Sequence, residues 1–239
     1  MITDTVALLL HGKWSYPNSV FWSALDQELL THCIKTEHVH MPWSAIKQYD
    51  QTYEDLLYTL ANKIKEYRQQ GFKKIILIGH SLGANCTLAY QSVYGDADVL
   101  VCLAPGHSPE RTYKEQKKRQ YQILKAQTNI ATDLEQTPIT FNDINGENTL
   151  DVTVPSSIFY SYFNPDGLAN MLITSKKIKT NHPTLYIEAR SDHCYRGPKE
   201  IFDNLPMHPA SCYILINANH ITVIEKAKKN IIEWLKKVI

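Results

Sequence analysis

The chain has 239 residues, 44% of them hydrophobic, enough to enclose one sizeable core, and a single domain over residues 1–239 is expected. A formal net charge of +1 excludes a nucleic-acid binder that works by bulk charge and leaves only a local patch open, so no nucleic-acid partner is expected. No run of about 18 apolar residues occurs, which excludes an apolar membrane-spanning helix. The stretch VALLL at residues 6–10 is too short for a signal-peptide core, has no basic lead and no cleavage site behind it. The five cysteines (Cys33, Cys86, Cys102, Cys194 and Cys212) are odd in number and form no CxxC. Reduced, buried thiols are the expectation, and with them a cytoplasmic setting.

Short apolar runs alternate with segments of helical period. Residues 5–12 (TVALLLHG) read as a buried strand, and residues 19–33 as a helix with Phe21, Leu25 and Leu29 on one face. Residues 36–42 read as a shorter strand stopped by Pro42. Residues 51–71 read as a long amphipathic helix, with Thr52 and Asp55 at its cap and Gly71 in the left-handed position after its end. Residues 73–79 (KKIILIG) form the next strand, followed by a helix from Ser81 to about Tyr94. Strands are expected at 97–105, 183–192 and 210–220. The last helix opens at Thr222, which with Glu225 fits a capping box. Such alternation, with near-continuous apolar strands, predicts an α/β protein: a mostly parallel sheet covered by helices on both faces. Right-handed crossovers put every strand's C-terminal end on one edge, where ligands bind in such sheets.

Between about residues 106 and 182 the rhythm breaks. Residues 108–134 read as one long helix with Ser108 as cap and Pro109 in its first turn. A hairpin is expected around Asn145-Gly146, then an aromatic segment and a further helix. The stretch is too long for a connection and too patterned for a linker, so it reads as a cap inserted over the active edge.

The strand at 73–79 ends in Gly79-His80-Ser81-Leu82-Gly83, a match to G-x-S-x-G. Glycine weakens strands and helices alike, so two of them around a serine need a reason. In that motif they permit a strained strand-to-helix turn that exposes the serine hydroxyl at a helix N-terminus. Serine needs a base to take its proton, histidine suits near neutral pH, and a carboxylate orients the ring. Asp192 follows the strand TLYIEAR by two residues, and His220 follows YILIN just before the last helix, so both sit at the edge where Ser81 sits. Glu188 lies inside a strand, Asp166 in the cap and Asp203 on a later helix, which makes them weaker candidates for the acid. His193 adjoins Asp192 and reads as a surface residue or a support. No HExxH or other ligand spacing appears, so no metal is expected.

In LLLHGKW, IGHSLGAN, EARSD and NANH, taken in that order along nearly the whole chain, the sequence resembles the α/β-hydrolase superfamily. The stretches MPWS (41–44) and LAPGHSPE (103–110) are also similar to bacterial members known only as hydrolases. The resemblance implies a nucleophile–acid–histidine order, here Ser81, Asp192 and His220. It also implies that the family's first two strands are missing, leaving a six-stranded sheet. An oxyanion hole would come from the N–H of Leu82 and, from the loop after the first strand, the N–H of Lys13. The expected activity is hydrolysis of a small-molecule ester or thioester through an acyl-enzyme, with no cofactor. An acyltransferase or peptidase on the same triad, or a non-catalytic ligand binder on the same fold, is the alternative.

Around the site, Trp14 and Trp43 follow strands and are candidates for the walls of an acyl pocket, with His80 and His107 as further pocket residues. His11 is a pocket candidate too, though its loop position favours a structural role. The basic residues Arg111, Lys114, Lys117, Lys118, Arg119 and Lys125 scatter around one helix axis. A solvated face is the first reading of them; contact with an anionic substrate or a lipid surface is the second.

Overall fold

The computed structural model describes residues 4–146, 148–194 and 199–239. Strand β1 (Thr5–Leu10) leads through a 3-10 turn at Val20–Trp22 into α1 (Ser23–Thr31). Then come β2 (Lys35–Val39), α2 (Tyr53–Gln69), β3 (Lys74–His80), α3 (Leu82–Val93) and β4 (Val99–Leu103). The stretch that follows holds α4 (Pro109–Glu115), α5 (Lys117–Ala131), β5 (Pro138–Asn145), β6 (Asn148–Pro155), α6 (Ser156–Phe163) and α7 (Met171–Lys177). The chain returns with β7 (Thr184–Ala189), α8 (Glu200–Asp203), β8 (Cys212–Ile216), α9 (Val223–Lys226) and α10 (Lys228–Val238).

Six strands form one sheet in the order β2-β1-β3-β4-β7-β8, and every pairing in it is parallel. Alternate residues serve alternate faces. Val6, Leu8, Leu10, Ile75 and Leu77 join a core with α2 and α3. Ala7, Leu9, Ile76 and Ile78 join a second core with α1, α9 and α10. Both faces are therefore covered, which is why the strands read as unbroken aliphatic runs. The chain steps from β1 outward to β2 and then returns to the other side with β3. The loops leaving β1 and β3 thus diverge, opening a crevice at the sheet's C-terminal edge.

Several local expectations change in the folded chain. The helix after β1 begins with a 3-10 turn, and Trp22, not Phe21, joins Leu25 and Leu29 in the core; Phe21 is exposed. The long helix is two, α4 and α5, separated at Gln116 by an extended residue (φ −122°, ψ 101°). The break lets α5 turn Arg119, Gln122, Ile123 and Ala126 inward at helical spacing. Ser108 makes no side-chain cap bond, though Pro109 does open α4. The capping box at Thr222 does not form. Instead the Asn219 side chain accepts the N–H groups of Ile221 and Thr222, and the Thr222 hydroxyl accepts the Asn219 N–H. The caps at α2 do form: Thr52 Oγ1 accepts the Asp55 N–H, and Gly71 sits at φ +92°. The hairpin pairs Asn145 with Asn148, with Gly146 at φ +63°; Glu147 lies outside the described residues. Among the described residues no helix is long and apolar enough to cross a membrane.

Candidate active site

Ser81 follows β3 directly and stands at φ +55°, ψ −122°, a conformation that residues with a side chain rarely adopt. The flanking glycines are what allow it. A Cβ on Gly79 would overlap the Gly83 carbonyl, and a Cβ on Gly83 would overlap the Leu10 carbonyl. Across the crevice, Gly12 packs on the serine so closely that a Cβ there would come 2.8 Å from Ser81 Cβ.

Ser81 Oγ lies 3.0 Å from His220 Nε2, and His220 Nδ1 lies 2.7 Å from Asp192 Oδ2. Asp192 follows β7 and His220 follows β8; each is more than nine-tenths buried. Burial by itself would raise the Asp192 carboxyl. The hydrogen bond and charge of His220, the Cys194 N–H at 2.7 Å and His193 outweigh it and hold the carboxyl below its ordinary value. The ionised carboxylate takes the Nδ1 proton of His220 as its hydrogen bond. Nε2 is then the ring's lone-pair atom, placed to accept from the Ser81 hydroxyl. His80 steadies this arrangement: its Nε2–H donates to the His220 carbonyl at 2.7 Å. Burial lowers the pKa of His80 to about 3, so it donates as a neutral ring.

The N–H groups of Leu82 and Lys13 have no acceptor among the described residues. Leu82 follows Ser81, and Lys13 follows the glycine packed against it. Two donors thus stand free near the hydroxyl, the requirement for holding an oxyanion. The Lys13 side chain turns away: its ammonium donates to Asp143 Oδ1 at 2.7 Å and to the Ile144 carbonyl. Asp143 also accepts from Trp14 Nε1 at 2.9 Å and from the Tyr49 hydroxyl at 2.8 Å. It lies on the inward face of β5 with Ile139 and Phe141, so the hairpin register decides whether it reaches the loop. Asn145 adds a bond to the Lys13 carbonyl at 3.2 Å. The hairpin is thereby fastened to the loop that carries one of the two free N–H groups.

One hollow holds the serine, and a second shares Lys13 with it and reaches Gly106 beside the hydroxyl. The first, of about 220 Å³, is mainly apolar, with Trp14, Tyr16, Phe21 and Ile224 among its walls, and His80, Ser81 and His220 at its floor. The other, of about 280 Å³, begins at Gly106 and Cys194 and runs past His107. Trp14 and His80 thus line the first and His107 the second. His11 and Trp43 line neither. Trp43 is fully buried, stacks on Tyr53 and donates Nε1–H to the His11 carbonyl at 2.8 Å. His11 accepts the Met41 N–H, and its own Nδ1 is 2.8 Å from the Gly12 carbonyl. Both residues brace the loops from behind.

Sequence reasoning missed Gly106 and Asp143 as parts of this site. A Cβ on Gly106 would stand 2.9 Å from Ser81 Oγ and 3.1 Å from His220 Cε1, so a side chain there would fill the space in front of the hydroxyl. Its only local signal is the Pro105-Gly106 dipeptide after a strand. A lone aspartate in a hairpin carries no signal of its own. For metals, Asp192, His193, Cys194 and His220 offer donor atoms within 4.8 Å of one another. Two of those residues, Asp192 and His220, already hydrogen-bond to each other, and the other His220 nitrogen faces Ser81 Oγ.

No protein-family model matches the sequence, and no curated protein matches it. Solved structures do match in shape. A monoacylglycerol lipase from Paleococcus ferrophilus aligns at a TM-score of 0.70 and 16% identity, over 98% of this chain and 95% of that one. GrgF, an alpha/beta hydrolase from Penicillium sp. sh18, aligns at 0.71 and 14%, over 98% and 90%. Est1E from Butyrivibrio proteoclasticus, seen with ferulic acid bound, aligns at 0.68 and 14%, over 100% and 90%. The chain has the α/β-hydrolase fold.

Proposed function

We propose that this protein is a serine hydrolase of carboxylic esters or thioesters, with Ser81 as nucleophile, His220 as base and Asp192 as the acid that orients it. One observation carries the reading: the unbroken hydrogen-bond chain from Ser81 Oγ through His220 to Asp192 at the crevice between β1 and β3. Ser81 Oγ attacks the substrate carbonyl as its proton passes to His220 Nε2. The tetrahedral oxyanion is held by the N–H groups of Leu82 and Lys13. His220 then gives the proton to the leaving alcohol or thiol, and the C–O or C–S bond breaks to leave an acyl-enzyme. Water, deprotonated by the same nitrogen, attacks the acyl carbon and frees Ser81. The apolar hollow beside Trp14 suits a hydrocarbon part of the substrate. Residues 106–182 act as a cap inserted in a single domain, and their hairpin sets the position of the Lys13 loop.

A fluorophosphonate probe tests the assignment. Wild type is expected to gain one covalent adduct by intact mass, and Ser81→Ala none, with p-nitrophenyl ester turnover lost in parallel. A folded wild type that takes no adduct and turns over no ester would overturn it.

A further inference from the structure

The second hollow is walled differently from the first. Lys13, Arg111 and Arg119 contribute three positive charges, against Glu115 and Asp143. Lys13 pairs with Asp143 at 2.7 Å, and Arg111 pairs with Glu115 at 2.7 Å. That leaves a surplus of one positive charge among the described residues lining it, with Arg119 the cation that has no carboxylate within ion-pair distance, though Asp143 acts on it from further off. Arg119 is 5% exposed. Its guanidinium lies 4.3 Å from the Phe163 ring centre and within 5.5 Å of those of Phe141 and Phe159. Its one hydrogen bond goes from Nη2 to the Asn142 carbonyl, and Nε and Nη1 are buried without a partner among the described residues. Ring faces answer the charge but are weak acceptors for N–H groups. Ser108, which lines the same hollow, also keeps a buried hydroxyl without a partner there. Buried donors left unpaired are costly, and an acceptor entering the hollow that Arg119 and Ser108 line would relieve that cost.

The hollow comes up to the serine at Gly106. Gly106 and Cys194 line it, and Gly106 is the residue whose side chain would collide with Ser81 Oγ. Lys13 borders both hollows. We propose that the hollow at Arg119 and Ser108 binds a carboxylate carried by the substrate, so that the preferred ester is amphipathic, with its apolar part against Trp14 and its anionic part against Arg119. A single surplus charge matches a monoanion. The inference rests on the hydrolase reading for its catalytic consequence, but not for the binding it asserts.

The test compares p-nitrophenyl hemiesters of succinate, glutarate and adipate with p-nitrophenyl butyrate, valerate and hexanoate. 4-Carboxyphenyl acetate against phenyl acetate covers the leaving-group side. At one chain length or on one side, the anionic ester is expected to be favoured at least tenfold in kcat/KM, chiefly through KM. That preference should shrink as salt is raised from 20 to about 500 mM. Arg119→Gln should cut the anionic-to-neutral ratio by tenfold or more. Should that variant fail to fold, Arg111→Gln, on the exposed rim, should lower the ratio about twofold to fivefold. Equal or slower turnover of every anionic ester, by protein whose Ser81 takes the fluorophosphonate, overturns the carboxylate site and leaves the hydrolase intact. If Ser81 takes no probe and no ester is turned over, the hydrolase reading fails and calorimetry decides the site alone. Saturable binding of monomethyl glutarate, absent for dimethyl glutarate, supports it, and no binding of either overturns it.

Discussion

Asp192 illustrates how much a single atom decides. Its Oδ1 accepts the Cys194 N–H and its Oδ2 faces His220. In Asp192→Asn the backbone N–H still demands an acceptor, so the amide oxygen takes the Oδ1 place and the NH2 faces His220. The ring must then accept at Nδ1 and carry its proton on Nε2, where it can no longer take one from Ser81. A fall in kcat of about 10³–10⁴-fold is expected, with KM little changed. Steady-state kinetics on a p-nitrophenyl ester checks it, and a loss under tenfold would show that the ring keeps its tautomer by other means. Ser81, Asp192 and His220 were each legible as residues following strands. Gly106 and Asp143 were not, since what makes them matter is the neighbour each meets across the fold.

At the scale of elements, the strand-to-helix turn carries the tightest constraint. In Gly83→Ala the new methyl meets the Leu10 backbone, which no rotamer change can relieve. Destabilisation of about 3 kcal/mol or more is expected. Gly71→Ala is the control: its φ of +92° makes a side chain strained, but nothing lies within 4 Å, so about 1 kcal/mol is expected. Urea midpoints at matched slopes separate the two, and equal costs would mean that the turn can relax. The elements most readable in sequence were those set by local pattern: the aliphatic strands, α2 with its caps, and the hairpin. The break at Gln116 was not, because no proline or glycine marks it. It exists because α5 must rotate its own apolar stripe, with Arg119, toward Phe141, Phe159 and Phe163.

Over the whole molecule, three buried histidines tie stability to pH. Burial lowers the pKa of His11 to about 4, that of His80 to about 3 and that of His107 to about 4. Each is neutral in the folded chain, while in the unfolded chain each binds a proton below about pH 6.5. The unfolded state therefore holds more protons between roughly pH 6.5 and 4, and stability falls as pH falls through that window. Each histidine contributes up to about 1.4 kcal/mol per pH unit. Asp192 adds nothing here: its depressed carboxyl loses its stabilising effect only below the unfolded value of about 3.9. The melting temperature should drop steeply between pH 6.5 and 5, and His107→Gln should flatten the slope by about a third. A flat profile for wild type would show that the rings protonate in place.

What the sequence determined by itself was the succession of the six sheet strands, the serine turn between β3 and α3, and the placing of Ser81, Asp192 and His220 after strands. These follow from short-range sterics and from the period of apolar residues, which act within a few positions of the chain. The tertiary structure alone decided that Trp43 braces a loop from behind, that Asp143 reaches back 130 residues to Lys13, and that a buried arginine lines the same hollow as Gly106. Those outcomes depend on pairings across the sheet and its insertion, where burial and charge are shared between residues that no local pattern connects.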